Sequence, residues 1–144
     1  MSTDKGNTGK DVSDLKLAKQ DRAGDLLFLI GTILAIISTY QIEKSVLNKS
    51  FKQVSEQKAA SPTSNPANTI AVFSWIFLLA TIIFTNSASE RLKEQKARVN
   101  QSTSLSGLKN FKGTQIAAFG TYIKLIGFAI VAIANQIKAD NPED

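Results

Sequence analysis

Three blocks of apolar residues are separated by polar, charge-rich segments along the chain. The first block, residues 26–42, contains no charged residue over 17 positions, and the second, residues 69–89, contains none over 21. The third block extends from about residue 114 to residue 137 and is interrupted only by Lys124. Because a helix needs about 20 apolar residues to cross the hydrocarbon core of a bilayer, the pattern predicts an all-α integral membrane protein with three transmembrane helices. The predicted spans are about 24–42, 69–89 and 114–137.

The segments that flank the first two blocks also carry helical patterns. Apolar residues recur at near-helical spacing beyond residue 42, so helix 1 is predicted to continue beyond the bilayer toward Gln57. Asn65 followed by Pro66 is typical of a helix start, with Asn as the N-cap and Pro in the first turn. Helix 2 is predicted to continue through the sequence SERLKEQKARV, in which Glu94 and Arg98 form a favourable i,i+4 pair.

The predicted organisation is one membrane domain between two polar tails. Residues 1–10 are expected to be a disordered N-terminal tail, residues 11–138 the three-helix membrane domain, and residues 139–144 an acidic C-terminal tail. Loops are expected near 60–66 and 100–112. A soluble helical bundle is disfavoured because it needs a polar face along each helix, and the second block is apolar nearly all round. A secretory signal peptide is disfavoured because about 25 residues of mixed charge precede the first block.

The distribution of Lys and Arg predicts which side of the membrane each segment faces. The N-terminal segment holds five of these residues and the segment 90–113 holds six, and with three spans the two segments lie on one side. The opposite side holds five and ends in the acidic sequence ADNPED. Because basic loops tend to stay in the cytoplasm, the N-terminus is predicted to be cytoplasmic and the C-terminus to lie on the opposite side.

Composition narrows the range of functions. The chain has no Cys and no His, which removes thiolate chemistry, the commonest metal ligand and the commonest general base at neutral pH. We therefore expect a protein that is not an enzyme, with no catalytic residues, no cofactor and no metal. The net charge of +5 is not accompanied by the aromatic interleaving that is typical of nucleic-acid binding, so no nucleic-acid partner is expected.

Small residues form a stripe along each predicted span. Lipid chains are as apolar as Leu, so membrane helices associate through close backbone approach and hydroxyl hydrogen bonds, which small residues permit. The stripes are predicted to face one another or a second subunit, although small residues are also common in membrane helices without such a role. The candidate packing residues are Gly31, Ala35 and Ser38 in helix 1, Ser74 and Thr81 in helix 2, and Gly120, Thr121 and Gly127 in helix 3.

Helix 3 has a second face on which large apolar residues recur at heptad spacing from Ile116 to Ile137. In water, Ile at both core positions of a heptad favours coiled coils of three or more strands. In lipid, the same ridge is equally well explained as a surface that contacts acyl chains. The ridge therefore leaves homo-oligomerisation open.

Lys124 is the candidate functional charge inside the membrane. A central Lys costs roughly 2.5 to 3.5 kcal/mol on insertion scales, which nearly cancels the gain from the apolar residues of helix 3. Helix 3 is therefore expected to depend on helices 1 and 2, with Lys124 turned toward them. Asp25 is expected to lie near the inner boundary of the membrane, beyond the reach of a lysine at mid-membrane. The predicted partners are hydroxyls such as those of Thr32, Ser74 or Thr81, backbone carbonyls, or water. The alternative is that Lys124 extends to the lipid headgroups.

A basic cluster follows the second apolar block and suits anionic lipid headgroups at the inner face, at about 1 kcal/mol per charge. A basic segment at this place is also what the predicted topology requires. The candidate headgroup-binding residues are Arg91, Lys93, Lys96 and Arg98.

These features favour a structural, accessory or scaffold component of a membrane, which associates through its helices with copies of itself or with a larger membrane protein complex. The alternative is a homo-oligomeric pore or channel in which Lys124 lines the path. In its small size and three spans the chain resembles the phage holins, and this resemblance implies a membrane permeabiliser. Three-span holins usually end in a basic tail, whereas this chain ends in ADNPED. A membrane enzyme that uses Lys124 as nucleophile or base is a weaker third option.

Overall fold

The computed structural model describes residues 5–52, 66–101 and 105–141. Within these ranges the chain forms three α-helices, α1 (Lys5–Lys52), α2 (Pro66–Gln101) and α3 (Leu105–Asp140). Each helix is long and apolar enough to cross a membrane, by length and composition. The prediction of an all-α chain with three apolar helices of membrane-spanning length is therefore confirmed.

The helix boundaries agree with the sequence at one place and differ at two. α2 begins at Pro66, as the Asn65-Pro66 pair predicts. α1 begins at Lys5, inside the predicted disordered tail, because extending a formed helix by one residue is far less costly than nucleating a new one. α3 begins at Leu105, inside the predicted loop, where Gly107 and Asn110 lie beside the end of α2. Tertiary packing of this kind routinely overrides weak helix propensity.

The remaining predicted segments fall partly outside the described ranges. α1 continues past the first apolar block to Lys52, and the rest of the predicted extension toward Gln57 lies outside the described residues. The expected loop near 60–66 lies there too, apart from Pro66. Residues 139 and 140 belong to α3, and the end of the acidic tail, residues 142–144, is not described.

α2 occupies the middle of the bundle and runs antiparallel to both other helices. α1 and α3 each pack along α2, and within the described ranges they make no backbone contact with each other. We call the end at which α1 and α3 begin and α2 ends the N-terminal end of the bundle. This order leaves a space between α1 and α3 over the surface of α2.

Small residues form the buried interior, and large apolar residues cover the surface. The buried residues of the described ranges are Leu17, Gly24, Gly31, Ser38, Ala71, Ser74, Ala80, Thr81, Thr85, Ser87, Ala118 and Ala132. The Ile ridge of α3 is exposed along its length, from Ile116 to Ile137. A soluble protein rarely exposes so large an apolar surface, whereas helices in hydrocarbon pack through small residues and turn large ones outward.

Contacts along α2 fix the register of the three helices. Gly24 of α1 lies against the ring of Phe84 in α2, and Thr85 donates a hydrogen bond to the carbonyl of Thr121 in α3 at 3.4 Å. Asp25 follows Gly24 directly, and Lys124 is one helical turn beyond Thr121. Asp25 and Lys124 therefore lie at nearly the same level of the bundle.

This register defines a short charge-free belt common to all three helices. On α3 the belt covers the 13 uncharged residues 125–137, between Lys124 and Lys138, which at 1.5 Å per residue span roughly 20 Å. α1 and α2 have no charged residue at these levels, because their uncharged stretches, 26–42 and 69–89, overlap the belt. Asp25 bounds the belt at the same edge as Lys124.

Candidate functional site

The seam between α1 and α2 is built on close approach at two glycines. A Cβ atom on Gly31 would lie 2.8 Å from the ring of Phe77, and one on Gly24 would lie 2.8 Å from the ring of Phe84. Both distances are shorter than van der Waals contact, so only glycine fits without a shift of the ring. These contacts bring two large rings of α2 directly against the backbone of α1.

The seam between α2 and α3 carries side-chain hydrogen bonds. Asn135 donates to the hydroxyl of Ser74 at 2.6 Å, and the indole N–H of Trp75 donates to Gln136 Oε1 at 3.0 Å. Nearer the N-terminal end of the bundle, the hydroxyls of Ser89 and Tyr122 are 2.7 Å apart. Hydrogen bonds between membrane helices are worth about 0.6 kcal/mol on average, so this seam combines small-residue packing with several modest polar contacts.

An aromatic cluster connects the two outer helices, α1 and α3, across the surface of α2. The ring of Phe28 in α1 lies 4.7 Å from that of Phe77 in α2 and 6.1 Å from that of Phe128 in α3, measured between centroids. The Phe77 and Phe128 rings are 5.7 Å apart. α1 and α3 thus meet through side chains at this level, although their backbones stay apart.

A groove of about 960 Å³ opens between α1 and α3 on the N-terminal side of this cluster, and we call it the central groove. Its inner end is apolar, and its open end carries two acidic and two basic residues. The lining residues are Asp21, Asp25 and Phe28 of α1; Thr81, Phe84, Ser87, Ala88 and Arg91 of α2; and Thr114, Ala117, Ala118, Thr121, Lys124 and Phe128 of α3.

The position of Lys124 corrects the prediction that Asp25 lies at a different depth. Counting along separate apolar blocks puts Lys124 at mid-membrane, but α3 is displaced along α2 so that Lys124 reaches the level of Asp25. Both residues line the central groove. Within the described ranges neither side chain takes part in an ion pair or hydrogen bond.

The hydroxyls predicted as partners of Lys124 are engaged elsewhere. Thr32 donates to the carbonyl of Phe28, Ser74 to that of Ile70, and Thr81 to that of Phe77. Each of these bonds stays within one helix, four residues apart. Of the three hydroxyl residues, Thr81 alone lines the groove with Lys124.

Ser87 is a polar residue of the groove whose hydroxyl is unsatisfied within the described part of the chain. The residue is 1% exposed, and its hydroxyl has no hydrogen-bond partner among the described residues. Buried polar groups are nearly always hydrogen-bonded, so an unpartnered one needs a physical explanation, and the described residues hold three others, Gln20, Ser38 and Gln95, outside the groove.

The basic cluster after the second apolar block is largely paired with carboxylates. Arg91 pairs with Asp21 across the groove mouth, and Arg98 lies 3.9 Å from Glu94, which confirms the predicted i,i+4 contact. Lys96 is exposed. The candidate headgroup residues therefore face the surface at one end of the bundle, with Arg91 also belonging to the central groove.

Lys93 forms the remaining pair of this cluster, with Glu90 at 2.7 Å. The hydrogen bond from Lys93 lowers the pKa of the exposed Glu90 carboxyl, and the same bond raises the pKa of Lys93.

The candidate packing residues fall into two groups. Gly31, Ser38, Ser74 and Thr81 are buried, and Ala35 and Thr121 are half-buried. At Gly120 and Gly127, a Cβ atom would have no neighbouring atom within 4 Å, so no other described helix of this chain packs on them. The face of α3 that meets α2 lies on nearly the opposite side of the helix from these two glycines, with Ala118 and Ala132 buried at its centre.

Several groove and seam residues carry little or no signal in the sequence. Phe28 and Phe128 count there only as apolar residues, and Ser87 is one hydroxyl among many. Asn135 carries a usable signal that the sequence predictions missed, because an amide inside an apolar span must find a hydrogen-bond partner on a neighbouring helix. The groove itself depends on the register of three helices, which no single stretch of sequence encodes.

The fold and the groove together define a three-helix chain whose helices have the length and composition to cross a membrane. None of the protein-family models, curated proteins or solved structures compared with the chain matches it.

Proposed function

We propose that this chain is an integral membrane protein that acts as a structural or accessory component, and that α3 attaches it to a second copy or to a larger membrane complex. The observation that carries the proposal is the open glycine face of α3. Gly113, Gly120 and Gly127 are spaced one heptad apart, and each has open space where a Cβ would lie. Glycine within a helix costs about 1 kcal/mol relative to Ala, a cost that close approach of a partner helix offsets.

The proposed orientation has the N-terminus in the cytoplasm and the C-terminus on the opposite side, with the long ends of the helices projecting beyond the bilayer. The excess of Lys and Arg in the N-terminal segment and in 90–113 supports it. In this orientation Lys96 and its neighbours Arg91, Lys93 and Arg98 face the inner leaflet, where anionic lipids attract basic residues.

A homo-oligomeric pore, or a holin-like permeabiliser, is the alternative. The unpaired Lys124 favours it, because a charge without a partner among the described residues is suited to an aqueous path. The contact between Phe28 and Phe128 closes the central groove within one chain. A conducting path would therefore have to form between copies.

The experiment measures association of the full chain in mild detergent and in lipid nanodiscs by native mass spectrometry. Replacing Gly120 and Gly127 together by Leu is expected to weaken self-association or partner capture at least tenfold, because the bulky side chains hold a neighbouring helix away. Replacing Ile123 and Ile130 by Leu is the matched control on the exposed ridge. Unchanged association in the glycine variant would contradict the proposal.

A separate arm distinguishes the pore. Vesicles that contain the wild-type chain are loaded with chloride, and efflux is compared with that from vesicles containing Lys124→Leu. Efflux that depends on Lys124 supports the pore, and equal, background efflux supports the accessory role.

A further inference from the structure

The central groove has the size and the lining of a binding site. Its volume of about 960 Å³ lies at the upper end of the roughly 300–1,000 Å³ found for small-molecule sites. α2 forms its floor, α1 and α3 form its walls, and the aromatic rings of Phe28, Phe84 and Phe128 line its inner part. The apolar inner part suits an acyl chain, and the charged open end suits a polar headgroup.

We propose that the central groove binds one zwitterionic glycerophospholipid with a primary ammonium headgroup, its phosphate at Lys124 and its ammonium at Asp25. The proposal rests on the membrane location proposed above but is independent of oligomerisation. It assigns a ligand to the groove and gives Lys124 a role other than lining a pore.

Charge complementarity selects this class of headgroup. Arg91 and Asp21 neutralise each other at the groove mouth, which leaves Asp25 and Lys124 as one acid and one base without partners in the described structure. A purely anionic headgroup would satisfy Lys124 and leave Asp25 uncompensated. A headgroup that carries both phosphate and ammonium satisfies both, and a primary ammonium has N–H donors for the carboxylate that a quaternary amine lacks.

Asp25 and Lys124 lie deeper than the usual level of lipid headgroups, so a headgroup that binds them must move toward the bilayer centre. Asp25 and Lys124 bound the charge-free belt roughly 10 Å from its centre, whereas the hydrocarbon of an ordinary bilayer extends about 15 Å from its midplane. Side chains tilt toward the N-terminus of their own helix, so both residues lean toward the N-terminal end of the bundle and the nearer lipid headgroups. The groove provides the space for a headgroup to meet them.

The hydroxyl of Ser87 is a further polar group at the wall of the groove. It lines the groove between Arg91 and Phe84, is 1% exposed, and has no partner among the described residues. Because the hydroxyl oxygen has almost no accessible surface, it donates to a phosphate or an ester carbonyl oxygen of a lipid only when the groove wall opens at Ser87. A direct ion pair between Asp25 and Lys124 would leave Ser87 unsatisfied.

The test is competitive lipid retention by the full chain. The protein is reconstituted in nanodiscs of equal parts phosphatidylethanolamine, phosphatidylcholine and phosphatidylglycerol, released into the gas phase, and the bound lipid is identified by mass. We expect one retained phosphatidylethanolamine per chain, at least tenfold enriched over each other lipid. Lys124→Gln and Asp25→Asn are each expected to abolish the enrichment, and Ser87→Ala to reduce it severalfold. Lys124→Arg is expected to preserve it.

Two charge changes outside the groove serve as matched controls. Lys109→Gln and Asp14→Asn, at exposed positions outside the groove, are expected to retain the lipid as the wild type does. Equal retention of the three lipids by the wild type, or enrichment that survives in either Lys124→Gln or Asp25→Asn, overturns the proposal. Membrane insertion is measured separately, by flotation of the wild-type chain with vesicles. If the wild type does not float, the proposed membrane location is wrong, and this result is distinct from a failure of headgroup selection.

Discussion

Gly31 and Gly24 occupy equivalent places on α1, yet the Phe rings that they contact differ in how freely they can move. The Phe77 ring against Gly31 is held by the rings of Phe28, Phe73 and Phe128, whereas the Phe84 ring against Gly24 has a ring contact with Phe28. A ring fixed on several sides cannot move aside for an added methyl group. The structural cost of a Cβ atom is therefore larger at Gly31.

We predict that Gly31→Ala lowers the free energy of unfolding by about 1–3 kcal/mol relative to Gly120→Ala, because it overpacks the aromatic cluster. Gly120 has open space at its Cβ position, and comparing two Gly→Ala changes cancels the gain in helix propensity. Gly24→Ala is expected to fall between them. Unfolding in mixed micelles with increasing SDS measures all three, and equal stabilities for Gly31→Ala and Gly120→Ala would contradict the packing described for α1.

The sequence predicts the surroundings of Gly31 better than those of Lys124. The stripe that contains Gly31 could be found by spacing alone, because helix periodicity determines which residues share a face. The residues around Lys124 could not be predicted from spacing, because they depend on how far α3 is displaced along α2. Counting residues along each apolar block therefore gave the wrong depth relation between Lys124 and Asp25.

At the scale of the element, α3 carries small residues on two nearly opposite faces, and sequence alone does not determine which of them meets α2. The face with Ala118 and Ala132 packs on α2, while the face with Gly120 and Gly127 is open. Both faces place small residues at helical spacing. The hydrogen bond from Asn135 to Ser74 distinguishes them physically, because it holds the first face toward α2.

We predict a coupling energy of about 0.6 kcal/mol, and at most about 1.7, between Ser74→Ala and Asn135→Ala in a double-mutant cycle, the range known for hydrogen bonds between membrane helices. The cycle of Thr32→Ala with Asn135→Ala is the control, because the Thr32 hydroxyl bonds within α1. Its coupling is expected to be zero. Additive effects of Ser74→Ala and Asn135→Ala would mean that this bond does not fix the rotation of α3.

At the scale of the whole molecule, the class of fold followed from the three apolar blocks, while the order of packing did not. Apolar length predicts that three helices form, and consecutive spans of one membrane must alternate in direction. Neither argument predicts that α2 separates α1 from α3 or that a groove remains between the outer helices. That arrangement comes from the glycine contacts on one side of α2 and the polar contacts on the other.

The charge-free belt leads to a prediction about the bilayer that suits the protein. Given a choice between vesicles of short-chain and long-chain phosphatidylcholine, the wild-type chain is expected to partition into the short-chain vesicles, because mismatch costs fractions of a kcal/mol per Å. Replacing Asp25 and Lys124 together by Leu leaves the net charge unchanged and removes the charges at one edge of the belt. This variant is expected to shift toward the long-chain vesicles. Equal partitioning of the wild type and the variant would show that the length of the belt does not determine the preferred bilayer thickness.

In the membrane location proposed for this chain, a hydrophobic zone of roughly 20 Å favours the thinner membranes of a cell over the thicker ones. The chain would accumulate where the bilayer is thinnest, or compress the lipid around itself where it is not. Proteins with similarly short apolar zones would collect in the same compressed patches, drawn together by the deformation they share.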